Sequence, residues 1–213
     1  MEKIVIIGGG SFLGNMINYI ESMNAYDIVG YTDIVDNGTV LYVKYIGDDS
    51  VLLDLYNEGV TNAAIAVGNN LNNTVVKQRI ARNAKKIGFS LPVIKGQNVI
   101  IHKGVNIGEG TIIRDAAIIQ SNCNIGNYIM IGDNCVISHD TSIGDFTQVV
   151  SGCVIGKGCK IGNNIFVGFS SVVTNDVVIT DNCIIGAKSL VNKNCEIKGK
   201  YFGQPARLKE KYE

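Results

Sequence analysis

From Ile101 onward an aliphatic residue returns at every sixth position. The series Ile101, Ile107, Ile113, Ile119, Ile125 runs without insertion to Ile197, and all seventeen of its positions hold Ile or Val. Four residues after each comes a second restricted position, always small or β-branched, as at Thr111, Cys123, Ile129, Cys135, Thr141 and Ser171. The residue directly after the aliphatic one is glycine in eight of sixteen cases, among them Gly108, Gly126 and Gly156. A period of six matches neither the 3.6 of a helix nor the 2 of a long flat strand. It fits a short strand followed by a tight corner, repeated. β-Branched residues favour the strand, and glycine permits corner conformations that other residues resist. Three such units close a triangular coil, so residues 101–196 make about five coils, a prism roughly 25 Å tall at a strand spacing of ~4.8 Å. The pattern predicts a hexapeptide-repeat parallel β-helix. Its hand is not contained in the periodicity, and the ordinary crossover rule alone would favour the right-handed form.

Residues 1–92 have a different texture. "KIVIIGGG" reads as a buried strand running into a glycine-rich turn, and "SFLGNMINYIESMN" as a helix with Ser11 near its start. "YDIVGYTD" is a second strand, "SVLLDLYNEGV" a helix, and "NAAIAVGNN" a third strand ending in Gly68. "NNTVVKQRIARNAKKIG" is a helix stopped by Gly88, and Pro92 marks the hand-over to the repeat. Strands alternating with helices predict a small parallel α/β domain of Rossmann-like type. The division is 1–92, 93–200 for the β-helix, and a tail, 201–213, that leaves the repeat at Ile197 and is basic on balance.

Charge narrows the partners. Nineteen Lys and Arg balance nineteen Asp and Glu with no long run of one sign, so nucleic acid, which needs a basic footprint, is not expected as a partner. No apolar stretch approaches the ~20 residues of a membrane span, so no membrane partner is expected. "MEKIVIIGGG" carries too short an apolar run for a signal peptide, and the chain reads as cytoplasmic. All six cysteines fall in the restricted inward position of the repeat. They read as small core filler in a reducing compartment rather than as metal ligands or disulfides, and no metal site is expected.

Two places carry candidate chemistry. Gly8, Gly9 and Gly10 suggest a dinucleotide fingerprint, but the third glycine it needs falls on Leu13. About 92 residues also supply only one mononucleotide-binding half. A site for a single nucleotide is the more natural reading, with a phosphate over the turn and helix start and Asp33 accepting from a ribose or base edge. The alternative is that these glycines only make turns. The second place is "CVISHDTSIGDF", where His139 and Asp140 occupy outward positions of their hexapeptide. The repeat itself accounts for neither. Histidine titrates near neutral pH and suits a general base; a neighbouring carboxylate can fix its tautomer. A polar pair at a solvated corner is the other reading. His102, in the first coil, reads as structural. No GxSxG, HExxH or P-loop supports a serine hydrolase, a zinc protease or an NTPase.

"VIIGGGSFLG", "VGYTD", "AIAVGNN", "SHDTSIGDF", "VGFSSVV", "IIGAKSLVNKN" and "YFGQPAR", in this order, resemble the sialic-acid O-acetyltransferase-type sugar acyltransferases (the NeuD/PglD/PerB type) over essentially the whole chain. The resemblance implies a left-handed coil, a homotrimer with sites between neighbouring prisms, acetyl-CoA as donor and a nucleotide-linked amino sugar, of 4-amino-4,6-dideoxy type, as acceptor. It implies His139 as base and Asp140 as the carboxylate that orients it. Sugar-nucleotide contacts fall on Gly10, Ser11, Phe12, Asp33 and Gly68, and acetyl-CoA contacts on Gln148, Phe169 and Ala187. Phe12 stands where relatives often carry histidine, and Gln148 where many carry a second one. Arg207 and Lys209 either meet the CoA phosphates or form a solvated basic end. O-acetylation of a sugar such as sialic acid, and a catalytically silent nucleotide-binding scaffold, remain alternatives.

Overall fold

The computed structural model describes residues 1–68 and 73–212. The chain divides into two compact units, the first ending at Gly96 and the second beginning at Gln97.

The first unit is built on β1 (Glu2–Ile7), α1 (Leu13–Ser22), β2 (Tyr26–Thr32), β3 (Thr39–Val40), β4 (Val43–Lys44), α2 (Leu52–Asn57), β5 (Asn62–Ile65), α3 (Asn73–Ile87) and β6 (Ile94–Lys95). A three-stranded parallel sheet has the order β2-β1-β5. The central strand is covered on both faces, so Ile4, Val5, Ile6 and Ile7 are buried together, which is why it reads as an unbroken apolar run. Leu13, Met16, Ile17 and Ile20 recur at helical spacing and give α1 its buried stripe. The antiparallel pair β3–β4 was not legible in the sequence: two residues per strand are too few to show an alternation.

The second unit is the expected coil. Two-residue strands stack in parallel register, Ile118 on Val136, Val136 on Val154, Val154 on Val172, so each residue lies over the one eighteen positions earlier. One face of the prism carries six stacked strands, from Ile100–Ile101 to Leu190–Val191. The aliphatic series points inward: Ile113, Ile119, Ile131, Ile137, Val149 and Ile155 are fully buried, each contributing roughly 1.5–3 kcal/mol. Every sixth residue from Asn98 to Lys188 has a positive φ, and these sixteen corners are taken mostly by Asn, Asp and Gly, which tolerate that conformation best. The glycines after the aliphatic residues have a separate cause. A Cβ on Gly132 would sit 2.4 Å from the backbone nitrogen of Ser151, because the coil above crosses directly over it.

Two details are added here. The sixfold register stops at Ile197, which is 43 % exposed, but the stacking goes on: Tyr201 pairs in parallel register with Ile185, sixteen residues earlier instead of eighteen, adding a further rung. From there Gly199–Gly203 turns back antiparallel against Ala206–Lys211, and this hairpin caps the stack. The cysteines are more than filler. Cys123, Cys135, Cys153 and Cys159 donate from Sγ to the carbonyls of Ser138, Val150, Gly168 and Thr174, at 3.1–3.2 Å. Thr111, Thr141, Thr147 and Ser171 make the same bond from their hydroxyls at 2.9 Å. Beside aliphatic and alanine occupants, the slot repeatedly takes a small side chain with one hydrogen to give.

Candidate active site

His139 stands on the corner that follows the Val136–Ile137 strand, its side chain half exposed. The coils on either side fix its backbone: its N–H donates to Gln120 Oε1 at 3.2 Å, and its carbonyl accepts from Gly158 N at 3.0 Å. Its Nδ1 lies 2.7 Å from Asp140 Oδ2. Asp140 Oδ1 in turn accepts from Asn122 Nδ2 at 3.2 Å. The hydrogen bond from His139, then that from Asn122, then the charges of His139 and Lys157 hold the Asp140 carboxyl below the usual carboxylate range, so it stays ionised. An ionised carboxylate only accepts. Nδ1 must therefore carry the hydrogen, and the lone pair of the neutral ring sits on Nε2, which has no hydrogen-bond partner among the described residues.

The reading that the repeat accounts for neither member of the pair is corrected for Asp140. It has φ 59° and occupies the recurrent left-handed corner, equivalent to Asn122, Asn134 and Asp176. The coil geometry calls for a residue of this kind there. Only His139 is outside its demands. His102 is exposed in the first coil.

The two groups of acetyl-CoA candidates separate. Phe169, 58 % exposed, and Ala187 lie on one edge, where Lys188 N donates to the Phe169 carbonyl at 2.8 Å. That edge follows a different face of the prism from the one His139 follows. Gln148 is 3 % exposed, between Met130 and Phe166 in register, and its Oε1 is buried without a hydrogen-bond partner among the described residues. Arg207 and Lys209 are exposed on the terminal hairpin.

In the first unit the glycine turn brings most of its candidates together. Gly9 N donates to Asp33 Oδ2, tying the end of β2 to the turn. A Cβ on Gly9 would meet the Tyr31 ring at 2.5 Å, and one on Gly8 would meet the Ala66 carbonyl oxygen at 2.9 Å, so both strand ends crowd the turn. Gly10 and Ser11 are exposed. Phe12 is 9 % exposed and packs against Tyr19 with ring centroids 6.2 Å apart, which leaves little of it to stack on a ligand. Gly68 approaches Phe12 Cβ; Asn69 and Asn70, in the same motif, lie outside the described residues. Leu13, where a dinucleotide fingerprint needs glycine, is fully buried. A cleft of about 130 Å³ opens beside the turn, lined by Gly8, Thr32, Asp33, Asp49, Val76 and Arg79 among others. Its lining is mostly apolar, with Ile7, Ile34, Val67 and Ile80 also contributing, and its polar part includes Thr32, whose Oγ1 donates to Asp49 Oδ1 at 2.9 Å.

Asn122, Gln120 and Lys157 escaped the reading of the sequence. The signal was present: each lies seventeen to nineteen positions from a member of the pair, the reach of one coil.

A hexapeptide coil with an outward His–Asp pair, preceded by a parallel α/β unit with a glycine turn, defines the hexapeptide-repeat acyltransferase class. Residues 95–202 match the model of the GMPPB C-terminal domain, and residues 3–83 that of the PglD N-terminal domain. The chain belongs to the PglD/PerB-type sugar acyltransferase family, and its coil matches the left-handed β-helix of these proteins. A GDP-perosamine N-acetyltransferase from Caulobacter crescentus, solved with CoA and GDP-perosamine, is similar at a TM-score of 0.92 and 25 % identity, over 98 % of this chain and 97 % of that one. The acetyltransferase domain of PglB from Neisseria gonorrhoeae gives 0.90 and 20 %, over 98 % and 100 %. WeeI from Acinetobacter baumannii gives 0.63 and 17 %, over 98 % and 100 %. No curated protein sequence matches the chain.

Proposed function

We propose that this protein transfers the acetyl group of acetyl-CoA to the amine of a nucleotide-linked amino sugar, of 4-amino-4,6-dideoxy type, in bacterial surface-glycan biosynthesis. The observation that carries the mechanism is the 2.7 Å contact between His139 Nδ1 and Asp140, which makes Nε2 the basic atom. The sugar amine attacks the thioester carbonyl, and Nε2 takes its proton. The C–N bond forms, the C–S bond breaks, and CoA leaves as the thiolate, which is then protonated. Asp140 stabilises the imidazolium. No acyl-enzyme is required, since the six thiols are buried inside the prism.

The nucleotide occupies the cleft beside the glycine turn, with its phosphates over Gly10 and Ser11. Asp33, held by Gly9, bounds the site together with Gly68, and Phe12 supports the turn from beneath. Phe169 and Ala187 form the acetyl-CoA edge, Arg207 and Lys209 meet its phosphates, and Gln148 Oε1 is an acceptor behind that face.

The working unit is a homotrimer. The outward residues of the six-stranded face are Ile100, Ile118, Val136, Val154, Val172 and Leu190, aliphatic along its whole height. The next face presents Asn106, Asn124, Ser142 and Lys160, and is aliphatic only at its last strand, at Val178. A continuous apolar strip of this kind is a contact surface. It lies between the His139 edge and the Phe169–Ala187 edge. Turned to a threefold axis, it sets the base of one copy beside the acetyl-CoA edge of the next. Six free thiols and the absence of a long apolar helix among the described residues fit a reducing, cytoplasmic setting.

The test is thiol release from acetyl-CoA against a panel of UDP-, GDP- and dTDP-linked amino sugars. One of these is expected to turn over, and His139→Ala to slow it by roughly 10²–10⁴-fold. Unchanged turnover in that variant would remove the base from the mechanism.

A further inference from the structure

We propose that Asn122 and Lys157, on the coils below and above the His139–Asp140 pair, are positioning residues of the base: Asn122 fixes the carboxylate, and Lys157 brings a cation to the edge on which the imidazole gains and loses its proton. The inference rests on reading His139 as the general base. Asn122 occupies the left-handed corner directly beneath Asp140, and its Nδ2 donates to Oδ1 at 3.2 Å. With one carboxylate oxygen on Asn122 and the other on His139, the carboxyl plane is set from both sides, and so is the ring it holds. A carboxylate bound only to histidine at a solvated corner would rotate.

Lys157 stands eighteen residues after His139, on the same edge. The two positions are locked in register by the bond from Gly158 N to the His139 carbonyl, and the Lys157 N–H is itself held by Asn175 Oδ1 at 3.1 Å. The Lys157 side chain is exposed, makes no ion pair among the described residues, and acts on Asp140 through its charge. A carboxylate beside an imidazole stabilises the protonated ring, which is useless as a base. A cation one coil away opposes that, and it also helps expel the proton once the ring has taken it. The other charges near this edge are Asp176, on the corner above Gly158, and Lys103, two coils below His139.

The chain has two histidines, so proton NMR of the full-length protein can follow both imidazoles without any acceptor, His102→Gln making the assignment. Removing the cation with Lys157→Met, or adding an anion with Asn122→Asp, is expected to move the His139 titration to higher pH by a few tenths of a unit, His102 staying as it was. Salt at 1 M moves the parent toward the Lys157→Met curve. Asn122→Gly keeps the left-handed corner. It is expected to lower kcat several-fold for the most active sugar of the panel, at unchanged KM. Coincident titration curves for parent, Lys157→Met and Asn122→Asp overturn the inference, as does a variant that loses only thermal stability. His139→Ala is assayed alongside. If it transfers acetyl normally, the base reading falls and the positioning role with it. If it is inactive while the curves coincide, only the positioning role falls.

Discussion

At the scale of single residues, the coil is a scaffold that tolerates little at its inward and crossing positions and much at its corners. Gly132→Ala puts a Cβ against the Ser151 backbone, which cannot give way without shifting a coil, and is expected to cost roughly 1–3 kcal/mol in chemical denaturation. The equivalent change at the open Gly10 meets nothing within 4 Å and should be silent in stability. Lys77, on α3, shows a different kind of strain. It is 4 % exposed, and burial pushes its ammonium down from 10.5 to about 8. Below about pH 8 both folded and unfolded chains hold the proton, and the fold bears the full desolvation penalty. As pH rises from about 8 to 10.5 the folded state releases its proton first, so stability rises through that window. Lys77→Met removes the penalty, on the order of 2–3 kcal/mol, and the gain over the parent, measured by urea denaturation, should shrink toward pH 10.

At the scale of elements, each coil is closed by a hydrogen bond that the sequence only half disclosed. The restricted position four after the aliphatic residue is visibly small or β-branched. That many of its occupants also donate to a carbonyl fifteen residues on became visible only when the coils were stacked. Thr141 shows the consequence: its hydroxyl gives to the Gly156 carbonyl at 2.9 Å and accepts from Cys159 N at 3.3 Å. Thr141→Val keeps the shape and removes both bonds, and should lower stability by about 1–3 kcal/mol in thermal or urea unfolding. The thiols do the same work more weakly. Burial pushes those of Cys123, Cys159 and Cys183 up, and that of Cys195 to about 12, so they stay protonated and able to donate.

At the scale of the whole molecule, the aliphatic face makes the strongest claim. Val154→Asp places a charge in the middle of that face. On the proposed homotrimer, in which the base and the acetyl-CoA edge come from different copies, it is expected to leave a folded species near 22.9 kDa by light scattering instead of one three times that mass, and to lose acetyl transfer. The amino-acid sequence by itself determined the coil and the α/β unit, because both are specified by local periodicity: six residues for strand and corner, alternating strand and helix for the sheet. It also determined that His139 is outside the coil's demands, since no repeat position asks for histidine. Tertiary structure alone decided what stands around it. Asn122 and Lys157 reach the pair because a coil is eighteen residues long, and contacts across coils follow that longer period, not the six that meets the eye. The same stacking turned Asp140 into a corner residue as well as a partner, closed Gln148 from solvent, and added a rung at Tyr201 beyond the end of the sixfold register. Burial and hydrogen bonding between positions far apart in the chain depend on how its turns lie on one another, which no single turn contains.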